Sequence, residues 1–174
     1  MTQDQLDALP DTSPVMDTTS GLTGLVQSNP LEDTWFVSKA FYVLCKVKLY
    51  KDVRSASGFE VTFCPHPREQ FPGLPEETHL FGQTTHVKKV EEITLDSDLK
   101  RVEICVDNVH AQGGAGADFE GFKFTEMDGQ VTKLAAHCPK RADWVTIDLT
   151  DRRIIGFRVV ESHWYSRFRN IRSI

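Results

Sequence analysis

The sequence lacks any apolar run approaching the roughly 20 residues that a membrane-spanning helix needs. Its first residues, MTQDQLDALPDTSP, also lack the basic start and the apolar centre of a secretory signal. The formal net charge of -5 gives no general attraction for nucleic-acid phosphates or anionic lipid. We therefore expect no membrane span, no nucleic-acid partner and an intracellular, cytoplasmic location.

The cysteines form no CxxC pair, which disfavours a zinc ribbon or a thioredoxin-type redox site. Cys45, Cys64, Cys105 and Cys138 are widely spaced along the chain. In a reducing compartment such cysteines are free, mostly buried thiols, and this is our expectation. The alternative concerns Cys45 and Cys64, which lie about equally far from the turn between two predicted strands. They would form a bridge if the compartment is oxidising.

Motifs for covalent and phosphate chemistry are also missing. No Ser or Cys lies in a nucleophile motif such as GxSxG, and the glycine-rich stretch QGGAGAD lacks the Lys-Ser/Thr pair of a phosphate-binding loop. The adjacent glutamates at 76–77 and 91–92 are typical of solvated faces rather than of a general acid and base. We expect no catalytic residue, no metal site and no cofactor, and therefore a protein that is not an enzyme.

Two regions differ in composition. Residues 1 to about 30 are rich in Asp, Thr, Ser, Gln and Gly, contain three prolines and show no sustained periodicity, which is typical of an irregular tail. From Trp35 onward apolar residues alternate with polar ones, for example in VLCKVKLY, and no long helical pattern occurs. The sequence predicts a polar N-terminal extension, 1–34, followed by an all-β domain, 35–174.

One short sequence recurs three times within the predicted domain. GFEVTF begins at Gly58, GFKFTE at Gly121 and GFRVVE at Gly156. Each copy follows an alternating strand and a polar turn, so the unit is a strand, a turn and a Gly-Phe strand. The glycine permits a β-bulge or a close backbone approach, and the phenylalanine begins the buried face. Because each unit alone would leave an apolar face in water, the repeats predict three β units that pack together.

The order of these motifs resembles that of the jacalin-related lectins. EEITLDSD, FEGFKFTEMDGQ and DRRIIGFRVVESHWYSRFRNIRSI are similar in order and spacing to strands of that family, over roughly Trp35 to Ile174. The resemblance implies a β-prism, in which three Greek-key sheets surround a pseudo-threefold axis. It also implies carbohydrate binding by loops at one end of the prism.

The resemblance places a ligand site in three segments, of which the first, the domain start DTWFVSKAF, lacks the glycines of the family. The turn after the middle strand corresponds to Met127–Gly129, and the last loop corresponds to residues 162–170. That loop, ESHWYSRFRN, departs from the family pattern because it contains neither the Gly nor the sugar-accepting Asp. An arginine cannot accept hydrogen bonds from sugar hydroxyls as a carboxylate does. The candidate ligand-binding residues are Asp128, Gly129, His163, Trp164, Tyr165, Arg167 and Arg169.

Purely structural roles are the alternative for these candidate ligand residues. Asp128 is also a favoured hairpin-turn residue when it precedes glycine, and the loop aromatics could fill the end of the core. The resemblance therefore leaves two functions open. In the first, the chain is a non-enzymatic lectin-like domain that binds a carbohydrate or a glycoprotein. In the second, it is a structural or adaptor subunit that lost sugar binding and holds a protein partner through its tail and the 162–170 loop.

Overall fold

The computed structural model describes residues 31–53, 56–66, 72–82, 84, 87–96, 98–107, 118–140, 142–162 and 167–173. Within these ranges all regular structure is β, which confirms the predicted class. The strands are β1 Leu31–Val37, β2 Tyr42–Lys51, β3 Ala56–Pro65, β4 Glu77–Gly82, β5 Lys89–Thr94, β6 Leu99–Asp107, β7 Asp118–Glu126, β8 Val131–Ala135, β9 Asp143–Asp148, β10 Gly156–Ser162 and β11 Arg167–Ser173.

Antiparallel pairing divides these strands into three groups. Sheet 1 has the order β1-β10-β11, sheet 2 has the order β4-β3-β2-β5, and sheet 3 has the order β8-β7-β6-β9. A single residue pair, Arg169 with Asp118, connects β11 of sheet 1 to β7 of sheet 3. The core lies between the inward faces of the three groups.

The inward faces predicted for β3 and β6 are buried where the structure describes their side chains. In β3 the side chains of Phe59, Val61 and Phe63 are fully buried, and in β6 Val102 and Ile104 are buried. Alternate residues of a strand point to opposite faces, so these positions share one side of each strand. Period-two alternation therefore located the core correctly in these strands.

The three phenylalanines of the repeated motif meet at the centre of the core. Phe59 lies 5.2 Å from Phe122 and 5.7 Å from Phe157 between ring centroids, and Phe122 lies 6.1 Å from Phe157. All three pairs have the edge-to-face geometry that aromatic rings prefer. Each sheet contributes one ring. The repeat thus supplies the same contact to the core from three sides.

The repeated glycines have a steric reason where the structure describes their surroundings. A Cβ at Gly121 would collide with the carbonyl oxygen of Leu134 in β8, and one at Gly156 would collide with the carbonyl oxygen of Phe36 in β1. A neighbouring strand therefore approaches each glycine too closely for a side chain. The predicted close approach is confirmed at both positions.

The third repeat differs from the other two in its pairing. β3 and β7 each pair with the strand that precedes them, as the repeated unit predicts. The prediction is wrong for β10, because β9 pairs with β6 and β10 pairs with β1 and β11. Its partner β1 begins at Leu31, so this strand crosses the predicted boundary between residues 34 and 35.

The expectation of free thiols is also wrong. Cys45 forms a disulfide with Cys64, and Cys105 forms a disulfide with Cys138. The β2–β3 ladder has a bulge at Cys45, which brings its Cα within 5.8 Å of that of Cys64. This separation suits a disulfide. The alternative that sequence reasoning left open for this pair is therefore the correct one.

The second disulfide fastens the segment after β8 to sheet 3. The amide of Ala136 donates to the carbonyl of Glu120 at 2.8 Å, which holds the segment beside β7. Cys138 then reaches Cys105 in β6 with a Cα separation of 6.2 Å. Because 33 positions separate the two cysteines, no local pattern indicated this pair.

Candidate binding site

Three connections between strands meet at one end of the described fold. The Met127 amide donates to the Asp98 carbonyl at 2.8 Å, which ties the β7–β8 turn to the β5–β6 connection. The Leu149 amide donates to the Lys100 carbonyl at 3.0 Å, which ties the β9–β10 connection to β6. These bonds satisfy backbone groups that leave their ladders and fix the connections relative to one another.

A cleft of about 550 Å³ lies among these connections and the start of β2. Its floor is apolar, since Leu44, Leu149 and Ile154 line it and are each at most 6% exposed. Met127 stands at its edge with 61% of its surface exposed. Such a volume is in the range of small-ligand sites, which combine an apolar floor with a few polar groups.

The polar rim of the cleft comes from the turn after β9. Asp148 Oδ1 accepts hydrogen bonds from the Thr150 amide at 2.8 Å and from the Thr150 hydroxyl at 2.7 Å. These two bonds, together with nearby cations, hold the pKa of Asp148 below its ordinary value. Asp151 has a left-handed φ of 58°, a conformation that Asp tolerates better than most residues. The turn presents exposed Arg152 and Arg153 at the cleft.

Asp128 and Gly129 form the tight turn between β7 and β8. The Gln130 amide donates to Asp128 Oδ1 at 2.9 Å, and the Gly129 amide donates to the Glu126 carbonyl at 2.9 Å. Gly129 adopts a φ of 91°, which favours glycine. Asp128 is exposed and follows Met127 of the cleft. In this structure its carboxylate supports the turn.

Of the other candidate ligand residues, Arg167 and Arg169 belong to β11. His163, Trp164 and Tyr165 lie outside the described residues. The backbone of Arg167 pairs with Ser162, and that of Arg169 pairs with Asp118. Both arginines therefore lie in β11, the last strand of sheet 1, whereas the resemblance placed them in the last loop, 162–170.

The structure does not bring Asp128 beside Arg169. Arg169 meets β7 at Asp118, the first residue of that strand, whereas Asp128 follows Glu126, the last residue. Eight steps of a strand span about 26 Å. Arg169 and Asp128 are therefore at opposite ends of β7.

Sequence reasoning did not identify the cleft. Arg152 and Arg153 were visible as a DRR turn between two predicted strands, but nothing in the local pattern connected them with Asp98 or Met127. Their common signal is position, since each lies in a connection after an alternating strand. Only the pairing of β6 with both β7 and β9 places those connections side by side.

The described residues contain no cluster of three or more His, Cys, Asp or Glu side chains that could hold a metal ion. Within the same ranges there is no helix with the length and apolar character that crossing a bilayer requires.

Comparison with known proteins places the fold. No protein-family model matches the chain, and no curated protein matches it in sequence. Solved structures do match it. Calystegia sepium agglutinin has a TM-score of 0.57 and 9% identity, covering 87% of this chain and 94% of the agglutinin. Malaysian banana lectin has a TM-score of 0.55 and 17% identity, covering 85% and 90%.

A bacterial domain gives a similar result. The second β-prism domain of RbmC from V. cholerae, solved with bound N-acetylglucosaminyl-β-1,2-mannose, has a TM-score of 0.51 and 17% identity, covering 86% of this chain and 94% of that domain. At these identities the likeness concerns the fold alone. The chain is an all-β protein with the fold of the β-prism lectins.

Proposed function

We propose that this chain is a non-enzymatic carbohydrate-binding domain built as a β-prism with three sheets around a pseudo-threefold axis. The observation that carries the proposal is the likeness, over most of each chain compared, to a lectin of this fold and to a β-prism domain that was solved with a bound disaccharide. The threefold relation is supported by Phe59, Phe122 and Phe157, which enter the core from the three sheets in the same sequence context. Fold alone does not fix function, so the residues must carry the rest.

The sugar site in this proposal is the connection between β10 and β11. Trp164 and Tyr165 supply aromatic rings for stacking on a sugar, and His163, Arg167 and Arg169 supply hydrogen-bond donors. Donors from arginine suit sugar ring oxygens and acidic substituents, which compensates for the missing carboxylate.

Asp128 and Gly129 belong to a separate part of the proposal. They follow Met127, which lines the cleft at the other end of β7, and this cleft has the volume and apolar floor of a small-ligand site. A sugar bound by the β10–β11 connection would therefore not contact Asp128. This separation makes the two regions independently testable.

A glycan-array screen tests the proposal, with the unmodified chain compared to the Trp164→Ala and Asp128→Ala variants. The proposal requires binding to a defined set of glycans that Trp164→Ala removes and Asp128→Ala leaves intact. Thermal melting of each variant checks that the fold is unchanged. Silence of the unmodified chain across the array, with a normal melting curve, would reject carbohydrate binding.

A second function has its own supporting observation. The β10–β11 connection lacks the Asp and Gly of the family pattern, and the exposed Met127 beside an apolar cleft is typical of a protein-binding surface. In this alternative the chain is an adaptor or structural subunit that holds a protein partner through its tail and the 162–170 loop. Deleting residues 1–30 would then release the chain from its assembly without unfolding it. Unchanged association of the truncated chain would refute that role for the tail.

The disulfides also bear on the cellular compartment of the protein. All four cysteines are paired, and such structural disulfides are typical of oxidising environments. They favour a location outside the reducing cytosol, in contrast to the cytoplasmic expectation from the sequence. Carbohydrate binding and an oxidising compartment are compatible, because glycans are abundant at cell surfaces and in secretory spaces.

A further inference from the structure

The outward face of sheet 3 carries basic side chains around a tryptophan. Lys123 Nζ lies 4.2 Å from the ring centroid of Trp144, and Lys133 Nζ lies 5.5 Å from the same centroid. Their neighbours β6 and β9 complete this face, and Arg101 lies on it two positions before Glu103. We call Arg101, Lys123, Lys133 and Trp144 the Lys–Trp cluster.

Two positive charges of this cluster are direct cross-strand neighbours. Lys123 in β7 is the Cα partner of Lys133 in β8. Like charges at directly opposed positions of an antiparallel pair destabilise the sheet. The face of Trp144 attracts both ammonium groups and offsets part of that cost. An anion between the two lysines would remove the remaining repulsion.

The cluster contains little negative charge. Glu103 is 3.9 Å from Lys123 Nζ and 3.7 Å from Arg101 Nε, so one carboxylate serves two cations at long distances. Among the described residues no ion pair involves Lys133, which is exposed. Asp148, the partner of Arg101, directs an oxygen to Thr150. Positive charge is therefore in local excess although the whole chain has a net charge of -5.

Sheet 2 provides an internal comparison. On its outward face Lys48 lies between Glu60 at 3.4 Å and Glu92 at 3.5 Å, and both carboxylates are its cross-strand partners. There a lysine is neutralised on both sides without a ligand. In sheet 3 the corresponding cross-strand row is Glu103, Lys123 and Lys133, so one neighbour of the central lysine is a second lysine and not a carboxylate. The row of Lys48 in sheet 2 is thus neutralised, and the row of Lys123 in sheet 3 is not.

We propose that the Lys–Trp cluster binds the sulfate or carboxylate groups of an acidic glycan. Lys123 and Lys133 hold one anionic group between them, Arg101 contacts the next group, and Trp144 is a positioning residue for the two ammonium groups. The open sheet face suits an extended glycan, and the three cations of the cluster suit a glycan that carries few charges. A net charge of -5 repels densely charged polymers such as nucleic acid.

This inference rests on the proposed function for the ligand class, since both concern glycans, but it uses a different surface. The β10–β11 connection belongs to sheet 1, and the cluster belongs to β6, β7, β8 and β9. Trp164→Ala should therefore abolish binding to the array glycans that the β10–β11 connection selects and leave acidic-glycan binding by the cluster intact. The failure of one proposal is thereby distinguishable from the failure of the other.

Isothermal titration calorimetry on the full, oxidised chain tests the cluster. The ligands are a chondroitin sulfate hexasaccharide, a hyaluronan hexasaccharide and neutral cellohexaose, each at low and at high salt. We expect both acidic ligands to bind and cellohexaose to show no binding. High salt should weaken the binding of the acidic ligands because the charges are exposed. Lys133→Ala should weaken binding about tenfold, which corresponds to the loss of one charge-assisted contact. The matched control Lys48→Ala should change it less than about twofold.

Several results would overturn the inference. These are the absence of binding by either acidic ligand, equal binding of cellohexaose, and an effect of Lys48→Ala as large as that of Lys133→Ala. The same titration is run with sodium sulfate, an oligonucleotide and phosphatidylserine vesicles. If one of these binds as tightly, with the same dependence on Lys133, the cluster binds that anion and the acidic-glycan assignment is wrong. If Trp144→Ala lowers the melting temperature strongly, Lys133→Ala and Lys133→Glu decide the question, because this exposed side chain can change without disturbing the core.

Discussion

Replacing Phe59 by alanine should be among the most damaging single changes in the core. The ring is fully buried and lies within 5.7 Å, between centroids, of four other rings, those of Phe81, Phe119, Phe122 and Phe157. Truncating a buried phenylalanine costs about 3–5 kcal/mol. Each lost aromatic pair contributes about 0.5–1.5 kcal/mol beyond buried area, which places Phe59→Ala near the upper end, at about 5 kcal/mol.

Urea unfolding followed by circular dichroism measures this loss. A domain of this size has a total stability of about 5–15 kcal/mol, so the variant should be marginal. In thermal melting the midpoint should fall by about 10–20 °C. The control Met127→Ala, at a side chain that is 61% exposed, should stay within about 0.5 kcal/mol of the unmodified chain. A loss below about 2 kcal/mol for Phe59→Ala would refute the reasoning that the three repeats stabilise the fold through this ring.

Three further changes test other parts of the structure. The double change Cys105→Ser with Cys138→Ser should lower the free energy of unfolding by about 3–4 kcal/mol. The remaining effect of reductant on the melting temperature should then come from the Cys45–Cys64 bond alone. An unchanged melting temperature of the double variant would contradict a structural role for the Cys105–Cys138 bond. Burial lowers the pKa of His79, so protonation favours the unfolded chain, and stability should fall as the pH drops below the ordinary value of 6.5. His79→Phe should remove that slope in urea titrations between about pH 7.5 and 5.5, and a persistent slope would assign it to another group. Gly156→Ala should cost about 1–3 kcal/mol by pushing β1 from β10, which hydrogen exchange at the Phe36 amide would report as lost protection.

Much of the fold was predictable because its information is local. Alternation in the sequence around Phe59 and Phe122 identifies which face of each strand is buried, since side chains of a strand alternate with period two. The repeated Gly-Phe pair also predicted a shared role, and the three rings do meet. No comparable local rule tells which strand lies beside which. The alternation of WVTIDL fits pairing with β6 as well as pairing with β10.

The disulfides show the same limit. Cys45 and Cys64 lie in consecutive strands, so a symmetric distance from the turn was enough to mark them as a candidate pair. Cys105 and Cys138 are separated by β7 and β8, and their contact depends on how the segment after β8 folds back onto β7. Such a contact follows from three strands being in register, which spacing alone does not reveal.

The candidate site was predictable in composition more than in position. The motif DG at Asp128 correctly indicates a tight turn, because the pair supplies both a capping carboxylate and a left-handed glycine. Whether that turn shares an end of the domain with Arg169 depends on which residue of β7 lies beside Arg169. This arginine pairs with Asp118, the first residue of β7, whereas the turn follows the last residue of that strand.

The third repeat explains how the two ends of the domain depend on each other. Because β9 is used by sheet 3, the Gly-Phe strand β10 must take its other partner from far away in the sequence, and β1 fills this position. The Ser38 amide and hydroxyl both donate to the Ile155 carbonyl, at 2.7 Å and 2.9 Å, directly before the ladder begins. Contacts across more than 100 residues carry a large entropic cost of loop closure and slow folding. Sheet 1 should therefore form last, after sheets 2 and 3 have assembled from neighbouring hairpins, and the first strand is an integral part of the domain rather than an appendage to it.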